Sequence, residues 1–201
     1  AFQHRKVKAK LNILLTTFSN PYYSDHLIPW GRLRESKSGA KRASILLVTK
    51  CPKNLSKTAR QEISKRINPL PNQSVFFTSI AYHKKLLNRQ KEKALASLSS
   101  SFFLVTGIAN PEPLVEFLKE EGKIFEHLNY PNHHEFKPEE IEEIKKRKQA
   151  QTIVTTEKDF GRLESYFSSE ELFYLPITME FLEEKEAKEF KTLVASSITK
   201  N

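Results

Sequence analysis

A single cysteine, Cys51, leaves this chain without a disulfide framework or a thiolate metal site. That scarcity fits a reducing cytoplasm, and a lone thiol directly after an apolar run reads as structural. No apolar run approaches the roughly 18 to 20 residues that cross a bilayer. The opening Ala1-Phe2-Gln3-His4-Arg5 is not a signal peptide, so the chain is expected neither to span a membrane nor to be exported. Glycine is sparse, at five residues, and nowhere does G-x-x-x-x-G-K precede a Ser or Thr. The loop that cradles nucleotide phosphates and magnesium is therefore missing from these residues.

Acid is scarce in the first half. Residues 1–100 carry 20 Lys+Arg against 4 Asp+Glu, a balance of +16, whereas the rest carry 13 against 20, a balance of −7. A basic half of this strength favours anionic partners such as nucleotide phosphates, phospholipid headgroups or nucleic acid, without choosing among them. The 201 residues, 38% of them apolar, are enough for one large domain or two small ones with packed cores. The chain starts without methionine inside patterned sequence, so it is expected to be a fragment.

Short β-rich runs alternate with charged helical stretches, the pattern of α/β units with mainly parallel strands. Strands are expected at 12–16, 44–49, 74–80, 102–106, 123–127, 152–156 and 172–175. Helices are expected at 56–66, 111–121, 138–148 and 183–197. Pro111 and Pro138 stand where a first helical turn tolerates proline, and Gly122 stands where a helix ends. The polar, lysine-rich and serine-rich stretch near the charge reversal marks a boundary. The expected organisation is a first domain at 1–85, a linker at 86–100 and a smaller α/β domain at 101–201.

Tyr130-Pro131-Asn132-His133-His134-Glu135-Phe136 places two imidazoles on one loop between a strand and an acidic helix start. An imidazole can take a proton or orient a carboxylate near neutral pH, and the alternative is a pair of solvated loop residues. A shared metal is disfavoured because adjacent histidines seldom converge and the H-E-x-x-H spacing is absent. Phe2-Gln3-His4-Arg5 offers an amide, an imidazole and a guanidinium suited to phosphate or carboxylate, or else a simple terminus. In Leu27-Ile28-Pro29-Trp30-Gly31-Arg32-Leu33-Arg34-Glu35, cations adjoin apolar side chains and the only tryptophan. That loop suits a phosphorylated amphiphile, or is a surface turn with a salt bridge. Lys50 follows a strand at the carboxyl edge where open α/β sheets bind ligands, or is simply a solvated lysine. Val105-Thr106-Gly107-Ile108-Ala109-Asn110-Pro111 has the outline of a phosphate-binding turn but lacks the further glycines of a dinucleotide fingerprint, so a structural turn stands beside that reading. Thr156-Glu157-Lys158-Asp159 closes another strand with charges that either pair locally or face a cleft.

In this order the motifs resemble those of the tetraacyldisaccharide 4'-kinase family. Ala1 to Arg5 is similar to the end of D-D-G-F-Q-H-R, and Pro29 to Glu35 to P-x-G-P-L-R-E. Val105 to Pro111, Asn132 to Phe136 and Thr156 to Asp159 are similar to V-T-G-I-A-x-P, D-H-H-x-F and T-E-K-D. Three positions depart: Ala1 for glycine, Arg32 for proline and Asn132 for aspartate. The last removes a carboxylate that could stabilise an imidazolium by charge.

The resemblance implies an α/β fold comprising the C-terminal portion of a P-loop kinase core and a smaller Rossmann-like domain. It implies a lipid kinase of lipid A biosynthesis, transferring the γ-phosphoryl of ATP, with Mg2+, to the 4'-hydroxyl of a tetraacyldisaccharide 1-phosphate. ATP and Mg2+ would be held mainly by a part absent from these residues, and this fragment alone would be inactive. His133 and His134 would be the catalytic pair, His133 supporting a catalytic aspartate supplied by that part. Gln3, His4, Arg34 and Glu35 would bind substrate. Thr156, Glu157 and Lys158 would face the nucleotide side or a cleft, with no resident metal site. The setting would be peripheral, on the anionic cytoplasmic face of the inner membrane, without nucleic acid. The alternative is a non-enzymatic basic α/β module that binds anionic membrane or nucleic acid.

Overall fold

A computed structural model describes residues 9–98 and 101–199. Two units, each with its own sheet and core, divide the chain: one joins the chain up to Ala81 with the segment from Met179, and the other runs Tyr82–Thr178. The fold is α/β, as the alternation of β-rich and helical stretches predicts.

In the first unit, β1 (Ile13–Thr17), β2 (Ile45–Thr49) and β3 (Ser74–Tyr82) pair in parallel, and β10 (Ile177–Phe181) borders β3. Strand β2 is central, and its continuous Ile-Leu-Leu-Val run is buried throughout, as expected of a parallel strand covered on both faces. Helix α1 (Lys57–Ile67) connects β2 to β3; the Ser56 hydroxyl accepts from the Ala59 N–H at its start, and Asn68 closes it in the left-handed region. Helix α5 (Glu184–Thr199) packs Phe190 and Leu193 against Ile45, Leu47 and Phe76. Arg60 of α1 reaches Glu183 at 2.5 Å and Glu186 at 3.3 Å. Cys51 is buried, and burial pushes its thiol up to about 11, which suits a structural residue.

In the second unit the strand order is β5-β4-β9-β8-β6-β7. The parallel strands are β6 (Phe102–Thr106), β7 (Phe125–Asn129), β8 (Ile153–Thr156) and β9 (Leu172–Leu175). Antiparallel β4 (Lys85–Leu87) and β5 (Glu92–Ala94) extend the β9 edge. Helices α2 (Glu112–Glu120), α3 (Pro138–Lys148) and α4 (Glu157–Leu163) follow β6, β7 and β8. From β6 the chain steps to β7 on one side, then returns to β8 on the other. The carboxyl ends of β6 and β8 therefore flank a topological switch point, where open α/β sheets form their ligand crevices.

Two expectations are corrected. The described part of the expected linker 86–100, residues 86–98, is not a linker: it holds most of β4 and all of β5, and Leu86, Leu95 and Leu98 are buried with the second core. Those few apolar side chains anchor the segment despite its lysines. Nor does the later domain run 101–201, because the apolar face of α5 finds its partners in the first sheet. The stretch Thr156 to Asp159, read as a strand end, is where β8 hands over to α4, with Thr156 as the capping residue.

Candidate functional site

Three segments leave the switch point of the second sheet, and Gly107 ties them together. Its N–H donates to Asp159 Oδ2 at 2.8 Å, and its carbonyl accepts from the His133 N–H at 3.0 Å. The Tyr130 N–H donates to the Thr106 carbonyl at 2.7 Å, fastening the loop after β7 at a second point. A Cβ at position 107 would lie 3.2 Å from Asp159 Oδ1 and 3.4 Å from both His134 Cβ and the Pro131 carbonyl. Glycine is there because three elements converge on one backbone unit.

Asp159 is fully buried, and its carboxylate also accepts from the Thr156 hydroxyl at 2.8 Å and Arg162 Nη1 at 3.1 Å. The Thr156 hydroxyl accepts in turn from the Asp159 N–H at 3.2 Å, the reciprocal arrangement of a capped helix start. The Gly107 amide that a phosphate would claim is thus occupied by a side-chain anion. The Val105 to Pro111 segment is accordingly a structural turn. Beneath it, Thr155 Oγ1 donates to the Val105 carbonyl at 2.6 Å. Thr106 Oγ1 lies 3.2 Å from Asn129 Oδ1 and 2.9 Å from His127 Nε2. One hydroxyl has one proton, which goes to the amide oxygen, so His127 presents Nε2–H to Thr106. Burial lowers the pKa of His127.

The two adjacent histidines part company. His134 stacks on Tyr130 with centroids 4.8 Å apart, meets Phe136 edge-on, and places Nε2 2.8 Å from Glu140 Oε2. Glu140 also accepts from the Lys137 N–H, and these contacts, the backbone one first, hold its carboxyl below the usual range. His134 is a structural strut between the loop and α3. His133 has a left-handed backbone (φ 63°) that turns its ring outward, and it is exposed. Its Nε2 lies 3.2 Å from Lys158 Nζ and its Nδ1 3.4 Å from Arg162 Nη2. Asn132 Oδ1 lies 3.5 Å from the same ammonium, so this residue serves Lys158 and not the imidazole.

Of the other expected site residues, Thr156 is committed to the cap, Glu157 is exposed at the first position of α4, and Lys158 joins His133. Arg34 and Glu35 belong to the first unit. Arg34 is exposed, whereas Glu35 turns inward to take Arg42 Nη2 at 2.7 and 2.9 Å and lies against Gly39, where a Cβ would come within 2.8 Å of its carboxyl carbon. Gln3 and His4 lie outside the described residues. Sequence reasoning passed over Arg162 and the anchoring role of Asp159. The signals were present: Arg162 is four residues after Lys158, on one helical face, and Thr156 and Asp159 have capping spacing. Among the described residues, no group of three or more His, Cys, Asp or Glu is placed to hold a metal ion.

The first unit has its own carboxyl-edge feature, an open cavity of about 390 Å³ lined by Thr16, Thr17, Thr49, Asp25, Arg32 and apolar neighbours.

Parallel strands joined by helices, with three segments converging at the switch point of the second sheet, define an α/β protein of the open-sheet class. A crystal structure of "apo" form LpxK from Aquifex aeolicus in complex with ATP matches it with a TM-score of 0.65, over 98% of this chain and 55% of that one, at 22% identity. The chain belongs to the tetraacyldisaccharide-1-P 4'-kinase family, whose model matches residues 1–198. A tetraacyldisaccharide 4'-kinase of Flavobacterium johnsoniae is 43% identical over 90% of this chain and 53% of its own length. That of Flavobacterium psychrophilum is 42% identical over 99% of this chain and 59% of its length. In Bacteroides thetaiotaomicron the relative of the same name is 38% identical over 94% and 55%. The chain spans rather more than half the length of these relatives.

Proposed function

We propose that this chain works as part of an ATP-dependent lipid kinase of lipid A biosynthesis, phosphorylating the 4'-hydroxyl of a tetraacyldisaccharide 1-phosphate. Family membership supports the reaction. The observation that carries the residue-level reading is the divergence of the histidine pair: His134 is built into the loop, and His133 is turned out at a switch point beside two cations.

Phosphoryl transfer asks a protein mainly for positioning and charge neutralisation. A neutral imidazole has one lone-pair nitrogen, so His133 accepts from Lys158 or Arg162 with one nitrogen and carries its proton on the other. That N–H donates to the carboxylate of a catalytic aspartate from the rest of the kinase, orienting it as base toward the sugar hydroxyl. The cation that donates fixes the ring, the other yields its place at the N–H to the incoming carboxylate, and together Lys158 and Arg162 place positive charge on the nucleotide side, beside Glu157 and the Thr156 cap. Arg34, with Gln3 and His4, contacts the substrate's phosphate or sugar, and Glu35 braces the loop that presents Arg34.

The described residues do not fit a bound Mg2+ or a phosphate cradle. The glycine-rich loop is absent from the sequence, and the one backbone turn of suitable outline is filled by Asp159. The remainder of the kinase would therefore hold ATP and its metal, and this chain alone would be inactive. The enzyme would act peripherally at the anionic cytoplasmic face of the inner membrane; among the described residues no helix is long and apolar enough to cross one. Nothing in the fold or the relatives favours the non-enzymatic alternative. The test is incubation of the full-length protein with Mg-ATP and the tetraacyldisaccharide 1-phosphate, with product mass as readout. Gain of one phosphoryl group at the 4' position supports the proposal; no transfer to this acceptor would refute it.

A further inference from the structure

Ten large hydrophobic side chains are exposed among the described residues, and three of them, Leu27 (48%), Ile28 (59%) and Trp30 (86%), fall within four consecutive positions. Scattered exposed hydrophobes are ordinary, but a cluster at the tip of one turn is not. The turn holds its shape by itself. Ile28 N–H donates to the Leu33 carbonyl, Gly31 N–H to that of Leu27, and Leu33 N–H to that of His26, at 2.9 to 3.1 Å. Asp25 Oδ1 takes the N–H groups of His26 and Arg32, and Oδ2 takes the Arg32 guanidinium at 3.0 Å. The His26 N–H leads the contacts that hold this carboxyl below the usual range. Gly31 is required at the crossing, since a Cβ would sit 2.3 Å from the His26 carbonyl. With these backbone groups already paired and Pro29 lacking an N–H, the tip can leave water without stranding them.

Charge points to the partner. Segment 25–42 carries five cations, Arg32, Arg34, Lys37, Lys41 and Arg42, against the carboxylates of Asp25 and Glu35, and all five cations are exposed. Apolar side chains with an amphipathic indole at the tip, and a cationic rim behind it, suit the headgroup layer of an anionic bilayer.

We infer that the turn from His26 to Arg32 is an interfacial anchor, inserting Leu27, Ile28 and Trp30 among the headgroups of an anionic membrane. This rests on the membrane-surface reading above and names the part of the protein that meets the lipid. Because Trp30 is the only tryptophan of these 201 residues, its fluorescence in this chain reports on the tip alone.

The experiment adds phosphatidylcholine vesicles, with or without phosphatidylglycerol and with brominated acyl chains, to the chain and follows Trp30 emission and flotation. Flotation with the anionic vesicles, a blue shift and bromine quenching are expected. The L27S/I28S double substitution should weaken binding about tenfold or more, while Ile124→Ser, at an exposed position of the second unit, should not change it. Flotation without quenching overturns the anchor and leaves the membrane reading standing. No flotation overturns both. Trp30 in the full-length protein already shielded from acrylamide before vesicles are added would mean that protein covers the tip, which also overturns the anchor.

Discussion

In the second unit the carboxyl ends of β6, β7 and β8 are closed by a dense polar network in which Asp159, Gly107, Thr156 and Arg162 satisfy one another. In the first unit the equivalent ends of β1 and β2 open onto a cavity lined by threonines, and the loop beyond them ends in an exposed apolar tip. One edge spends its polar groups on holding loops in register, so that a single imidazole is offered outward. The other binds its strand-end threonines only to nearby backbone, Thr16 to the Tyr22 N–H, Thr17 to the Asn20 carbonyl and Thr49 to the Thr16 carbonyl, and its loop carries a preformed turn. The difference predicts that equivalent substitutions at the two edges have unequal costs.

For stability the largest effect is expected at Asp159→Ala, which strands the Gly107 amide, the Thr156 hydroxyl and the Arg162 guanidinium together. A loss of about 3 kcal/mol in denaturant unfolding would agree with a buried network losing its centre. A loss below about 1 kcal/mol would break the comparison. His134→Ala removes an aromatic stack and its Glu140 contact, and about 1.5 kcal/mol is expected by thermal unfolding. At the opposite end of the same sheet, Lys148 is buried and reaches Glu171 at 2.6 Å; that contact, followed by bonds from Ser168, holds the Glu171 carboxyl down to about 2. Because the folded value lies below the unfolded one, this contribution is full above about pH 4.5 and is lost as the pH falls toward 2. Because the Glu171 side chain is partly exposed and its charge is screened by solvent, Glu171→Gln should cost only about 1 kcal/mol at pH 7 and flatten the stability profile in that acidic window. At the open edge of the first unit, Thr49→Ala loses only a 3.2 Å bond to the Thr16 carbonyl, and about 0.5 kcal/mol should suffice.

Much of this architecture could be read from the chain. Phe102 to Val105 is a continuous apolar run with buried-strand character, and Pro138 followed by two glutamates marks the start of α3 from local chemistry alone. Strands β4 and β5 could not be read, because three-residue strands carry no usable periodicity and depend on pairing, β4 with β9 and β5 with β4. Helix α4 escaped for a related reason: seven residues including Gly161, entered straight from β-branched Val154, Thr155 and Thr156, favour a strand ending by local propensity. The loop carrying the histidine pair was legible as a candidate site, but the different placement of its two rings was not. Two identical neighbours are separated by the left-handed backbone of His133 and by the tertiary partners they meet, Tyr130, Phe136 and Glu140 for His134 and Lys158 and Arg162 for His133. Arg34 and Glu35 likewise look alike as a motif and diverge only once Arg42 and Gly39 are brought to the glutamate.

The most direct test of the proposed role of that pair is the kcat of His133→Ala in the full-length enzyme, measured at saturating Mg-ATP and lipid acceptor alongside its unfolding midpoint. A fall of about a hundredfold or more with an unchanged midpoint is predicted, in line with the loss of a group that orients a catalytic base. Activity within a few-fold of the parent would contradict it.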